Sequence, residues 1–152
     1  MDVFPRQANA AGRSAKEAGR GDTRVESKSM ENERAECINA ICRFPKTYRT
    51  GNHTPESIYD RSHYADHYRD INQEDIVEAL RQHPSLVNDW LAFSDKRWSP
   101  AWGMYETSEN RWSVCRVRRD GSRSYEIFFR DPLTACAFMV KMEMEDLRVE
   151  NG

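Results

Sequence analysis

From Asp131 onward the apolar residues step by three or four positions: Leu133, Cys136, Ala137, Val140, Met144 and Leu147. Such a stripe runs along one side of an α-helix. Asp131 is a good cap for it, and Pro132 suits the first helical position, where a missing N–H costs nothing. A stripe this long needs an apolar surface to lie on, and the preceding residues supply one. Ala101 to Glu106, Arg111 to Val117 and Ser124 to Arg130 read as strands. In the second, Trp112 alternates with Val114, and in the third Tyr125, Ile127 and Phe129 fall on one side. The polar residues Thr107 to Asn110 turn the chain once. Arg119, Asp120, Gly121 and Ser122 turn it again, because Asp-Gly accepts the positive φ of a tight hairpin. A three-stranded meander alone is marginal and requires a cover. The expected fold is therefore α+β: N-terminal helices, then a three-stranded antiparallel meander covered by a C-terminal helix, in a single domain over about 31–152.

The helices before the sheet are less evenly written. Asn72 is a good N-cap, and Asp75 three residues on resembles a capping box with the shorter acid. Ile76, Val77 and Leu80 form one face, His83 and Pro84 interrupt, and Leu86, Val87, Trp90 and Leu91 form the inner side of a second helix. Residues 57–71 are aromatic and polar without a clean period, and read as partly helical. Cys37, Ile38, Ile41 and Cys42 stand at helical spacing, and Pro45 is expected to end that helix.

Residues 1–30 are a different material. Between Gln7 and Met30 the only bulky aliphatic residue is Val25. Such a segment buries too little surface to offset its ordering entropy, so a disordered arm is expected over 1–30. Residues 1–35 interleave seven Lys/Arg with six Asp/Glu, unlike a basic nucleic-acid block, so the arm reads as a solvated leader or an extension upstream of a start at Met30. It also explains why the whole chain is only 38% hydrophobic, with a mean hydropathy of −0.89. No apolar run reaches the roughly 20 residues of a membrane span. Met1 to Pro5 lack the apolar core of a signal peptide, so a cytoplasmic protein is expected. The four cysteines then serve as small apolar residues rather than disulfides.

Chemistry-bearing patterns are sparse. Cys37 and Cys42 followed by His63 and His67 have the composition of a zinc site. The spacer is far longer than a finger's, however, and the cysteines lie on an apolar helical face, so a core role is expected and no metal or other cofactor is assigned. Nucleophile elbows, glycine-rich phosphate loops and His-Glu-x-x-His motifs are missing, which points away from an enzyme. Trp98, Trp102, Tyr105 and Trp112 could stack bases, but tryptophans this close to strands are expected to pack the sheet.

Charge is segregated although the net charge is only −2. Residues 54–95 carry nine acids against three bases, net −6, whereas 96–130 carry eight bases against four acids, net +4. The acids Asp60, Asp66, Asp70, Glu74, Asp75 and Glu78 are the candidate partner-binding residues, suited to a basic protein. Arg97, Arg116, Arg118, Arg119 and Arg123 are the alternative, a nucleic-acid or regulatory surface at the sheet edge.

Residues 76–147 also resemble a known group. An acidic helix pair runs from Ile76 to Trp90, Leu91, Phe93, Ser94 and Asp95 to Arg97. Ser99, Trp102 and Trp112 follow, then Phe128, Phe129, Arg130 and Asp131, then Ala135, Cys136, Ala137 and Glu143 on a last helix. About half the chain is thereby similar to small bacterial α+β immunity proteins of toxin–immunity systems. The resemblance implies a non-catalytic cytoplasmic inhibitor that neutralises a toxin domain by binding it. A chain shortened to begin at Met30 is expected to melt at the temperature of the full chain; a drop of several degrees would show that the leader stabilises the domain.

Overall fold

A computed structural model of the chain describes residues 28–96, 101–107 and 110–151. Residues 1–27, which hold most of the expected arm, lie outside the described residues. Two units are distinguished, Met1–Ala35 and Glu36–Gly152. In the first, residues 28–35 are helical. The second is an α+β unit.

Helix α1 occupies 36–42 of this unit and buries Cys37, Ile38, Ile41 and Cys42, as their spacing requires. Pro45 does not simply end it. The chain breaks at Arg43 and restarts as α2, Phe44–Thr50, with Pro45 in the first turn, the one place a helix tolerates it. The indole of Trp90 donates to the Cys42 carbonyl at 2.8 Å, so the buried end of α1 keeps a partner. Helix α3, Pro55–Ser62, is capped by the Thr54 side chain, which accepts from the Ser57 amide at 3.1 Å. His63, at φ 62°, turns the chain into the short α4, Tyr64–His67, and a 3₁₀ turn over Tyr68–Asp70. Helix α5, Gln73–Gln82, starts with the expected capping box: Asn72 and Asp75 exchange two hydrogen bonds of 2.9 Å. Helix α6, Ser85–Lys96, follows the His83–Pro84 bend and buries Leu86, Val87, Trp90 and Phe93.

Strands β1 (Ala101–Glu106), β2 (Trp112–Val117) and β3 (Arg123–Phe129) form an antiparallel sheet in that order. Trp102 pairs with Arg116 and Met104 with Val114, which places these four on one face. That face meets α7, Pro132–Asn151, whose first turn is capped by Asp131 through the Leu133 and Thr134 amides. Cys136, Ala137, Val140, Met144 and Leu147 are buried as expected, but so are Ala135, Met139 and Glu143. The extra burial arises because α7 is more than a cover. It packs on all three strands and also on α3, α4, α5 and α6.

Polar side chains fix its register against the sheet. Glu143, itself buried, accepts from the Trp102 amide at 3.0 Å, and Asp146 accepts from the Trp102 indole at 3.0 Å and from Arg116. Two residues along the same outer edge of β1, Ser94 of α6 accepts from the Met104 amide at 3.0 Å. Val140 lies at the centre of this packing. A Val140→Asp substitution would bury an unpaired carboxylate at a cost of several kcal/mol, a large share of the roughly 5–15 kcal/mol a domain has. The variant is expected to lose its near-UV circular dichroism at 25 °C; an unchanged spectrum would contradict the packing of α7.

Candidate interaction surface

The sheet face turned away from α7 carries Gly103 and Tyr105 of β1, Ser113 and Cys115 of β2, and Arg123, Glu126 and Phe128 of β3. Its small residues are buried beneath the long ones. A Cβ at Gly103 would lie 2.5 Å from the Tyr105 hydroxyl, so that side chain lies across the glycine. The Arg123 guanidinium lies 4.6 Å from the Tyr105 ring centre. Glu126 accepts from Arg123 at 3.4 Å and from the Ser113 hydroxyl. Arg111 caps the Phe128 ring at 4.4 Å.

Strand β3 departs from the sequence expectation. Between the pairs Val114–Ile127 and Arg116–Ser124, two β3 residues oppose the single residue Cys115, which makes a bulge. Tyr125 sits there at φ 55° and is 74% exposed, so it leaves the core-facing row expected to hold Tyr125, Ile127 and Phe129. Ile127 keeps its side of the sheet but is 41% exposed, because β3 lies at the rim of α7. Only Phe129 reaches the core, against Phe138 at 5.4 Å between ring centres. Phe128, on the opposite face, is 47% exposed. Three of the five exposed large apolar side chains among the described residues therefore lie on this one strand. The run Ile127, Phe128, Phe129 carried the signal: three consecutive apolar residues cannot all face one side of a strand. The positive φ at Tyr125 had no sequence signal.

Of the alternative nucleic-acid residues, Arg97 lies outside the described residues, as does Trp98. Arg116 is half-buried and paired with Asp146, and Arg123 is held by Tyr105 and Glu126. Arg118 and Arg119 are exposed in the hairpin turn, where Asp120 binds the Ser122 amide and hydroxyl. Trp102 is buried and Trp112 packs on the core, so these two indoles present no stacking platform.

The six candidate acids lie along α3 to α5. Asp60, Asp66, Asp70 and Glu74 are exposed. Asp66 lies 3.7 Å from His63, Asp75 is committed to the capping box, and Glu78 pairs with Arg81 at 2.6 Å. Part of this acidity thus serves the helices themselves.

The cysteines sit where nucleophilic chemistry is suppressed. Burial pushes the Cys42 thiol up to about 12, and burial also raises Cys115 and Cys136. Cys37 and Cys42 pack in the core while His63 is exposed, so the zinc-like set is not brought together. No group of three or more metal-ligating side chains occurs among the described residues, and no described helix is long and apolar enough to cross a membrane.

A second polar cluster joins α4 to α7. Tyr64 donates to Glu145 at 2.6 Å, Arg148 pairs with Glu145 at 2.9 Å, and Lys141 donates to the Ile71 carbonyl at 2.7 Å. Its hydrogen-bonding groups are spent on one another and on the backbone, which is the behaviour of a structural clamp. No family model matches the chain, and neither a curated protein nor a solved structure does so.

Burial alone would raise the Glu145 carboxyl, but hydrogen bonds from Arg148 and Tyr64 outweigh it and hold the group below its ordinary 4.5. A carboxyl depressed on folding contributes stability that is complete above its unfolded pKa and is lost as pH falls through the folded one. Glu145→Gln is therefore expected to flatten the loss of stability below about pH 4.5 in urea unfolding series. Parallel acid limbs for variant and parent would contradict the clamp.

Proposed function

We propose that the chain is a non-catalytic protein-binding protein, an immunity-type inhibitor that neutralises a toxin domain by direct contact in the cytoplasm. The observation that supports binding is the concentration of Tyr125, Ile127 and Phe128 on β3, at a sheet edge that no other described strand covers. An exposed apolar strand at an open edge is a liability that folded proteins usually blunt, and its retention fits a surface kept for a partner. The toxin as that partner is what the resemblance implies.

A second contact is favoured by the exposure of Asp60, Asp66, Asp70 and Glu74 along α3 to α5, which suits a basic protein. The apolar strand would then supply affinity, and the acids would supply association rate.

Both contacts are read in one experiment, binding to the product of the neighbouring gene, which this reading requires to be a toxin domain. The pair Tyr125→Ser and Phe128→Ser is expected to raise the dissociation rate at least about ten-fold with an unchanged melting temperature. Charge reversal at Asp70 and Glu74 is expected to slow association mainly at low salt. Parent-like kinetics in the β3 variant would remove β3 from the interface, and no binding by the parent would end the inhibitor reading.

A further inference from the structure

The occupant of the β3 edge can be specified by its chemistry. We propose that this edge takes an extended acidic segment of a partner protein, added as a fourth strand. The inference rests on the protein-binding reading and names how that binding is made. β3 pairs with β2 alone, so every second backbone amide and carbonyl along its outer side has no strand partner among the described residues. A peptide can satisfy those groups; a nucleic acid has no matching ladder of donors and acceptors.

Charge selects the sign of the segment. Residues 111–130 carry six arginines and two acids. Both acids are internally engaged, Asp120 by Ser122 and Glu126 by Ser113 and Arg123. Arg118, Arg119 and Arg130 are exposed around the strand, at the turn and beyond its far end. The same positive field disfavours a second copy of this edge, which would bring two such sets of arginines together. Residues 1–27 hold five bases and four acids, so they do not supply the complementary charge either.

The bulge limits the length. Tyr125 interrupts regular pairing, which leaves Glu126 to Phe129 as the straight stretch for backbone contact. Ile127 and Phe128 project to opposite sides of it, so the added strand meets one apolar side chain on each face. Arg111 already lies on the Phe128 ring, which occupies the face a base would stack on.

The test uses the full chain and a blocked peptide of alternating glutamate and valine, as long as the seven residues of β3. Binding is read by amide hydrogen exchange and by chemical shift. The outward amides of 126–129 are expected to gain protection, and a lysine–valine peptide is expected to bind at least about ten-fold more weakly. Arg118→Glu with Arg119→Glu, both exposed in the turn, is expected to weaken the acidic peptide and spare the fold. An acidic peptide methylated on alternate amides is expected to lose most of its binding. Equal binding by the methylated peptide would overturn strand addition while leaving β3 as a protein surface. Equal binding by the lysine peptide would overturn the charge selection. Three further results would also overturn the proposal: no protection at millimolar peptide, protection of these amides by oligothymidylate instead, or a dimer of the free chain sealed through β3. Toxin-binding kinetics unchanged by the Tyr125→Ser and Phe128→Ser pair would remove β3 from the protein interface, and no binding by the parent would instead remove the protein-binding reading itself.

Discussion

Burial of α7 on several sides at once is the constraint from which the unit's other features follow. A helix with a single apolar stripe can lie on a sheet and leave the rest of itself in water. Here Met139, Ala135 and Glu143 are buried beside the expected stripe, so a second layer, α3 to α6, closes over the helix. A helix in that position must have its polar groups satisfied inside. Glu143 and Asp146 meet this need through the Trp102 amide and indole, and Arg116 completes the set. These bonds hold β1 and β2 to the helix, and β3, the outermost strand on the β2 side, has the thinnest cover.

Much of this is legible in the sequence alone. The i, i+3, i+4 stripe, the Asp131–Pro132 start, the Asp120–Gly121 turn and the Asn72–Asp75 box are local devices, and local devices can be read locally. Pro45 opens a helix where the sequence suggests an end, because a proline that ends one helix and a proline that opens the next look alike when the two helices are separated by one residue. The segment 57–71 was obscure because it holds α3, α4 and a 3₁₀ turn, each too short to show a period. The candidate surface was the least visible part. Tyr125, Ile127 and Phe129 alternate as a core strand should, but the bulge opposite Cys115 turns Tyr125 out and the limited width of α7 leaves Ile127 exposed. Both causes are tertiary.

Charge and apolar exposure separate on this molecule in a way that bears on binding. The acids of α3 to α5 are partly consumed by capping and by an i, i+3 pair, whereas the acids of the β2–β3 hairpin are engaged by hydroxyls, an amide and Arg123. What the hairpin still presents to solvent is arginine and apolar surface. Arginines beside an open strand edge repel a second copy and attract a carboxylate-bearing strand, so one feature serves both solubility and selection.

Native-state amide hydrogen exchange on the free protein distinguishes an α7 packed on several sides from a β3 whose outer edge is open. The amides of Met139 to Met144 should exchange only through global unfolding, with an opening free energy equal to that from urea denaturation. The outward amides of Glu126 to Phe129 should exchange orders of magnitude faster, close to the rate of unstructured chain. Protection of those β3 amides equal to that of α7 would show the edge to be covered, and would contradict the account.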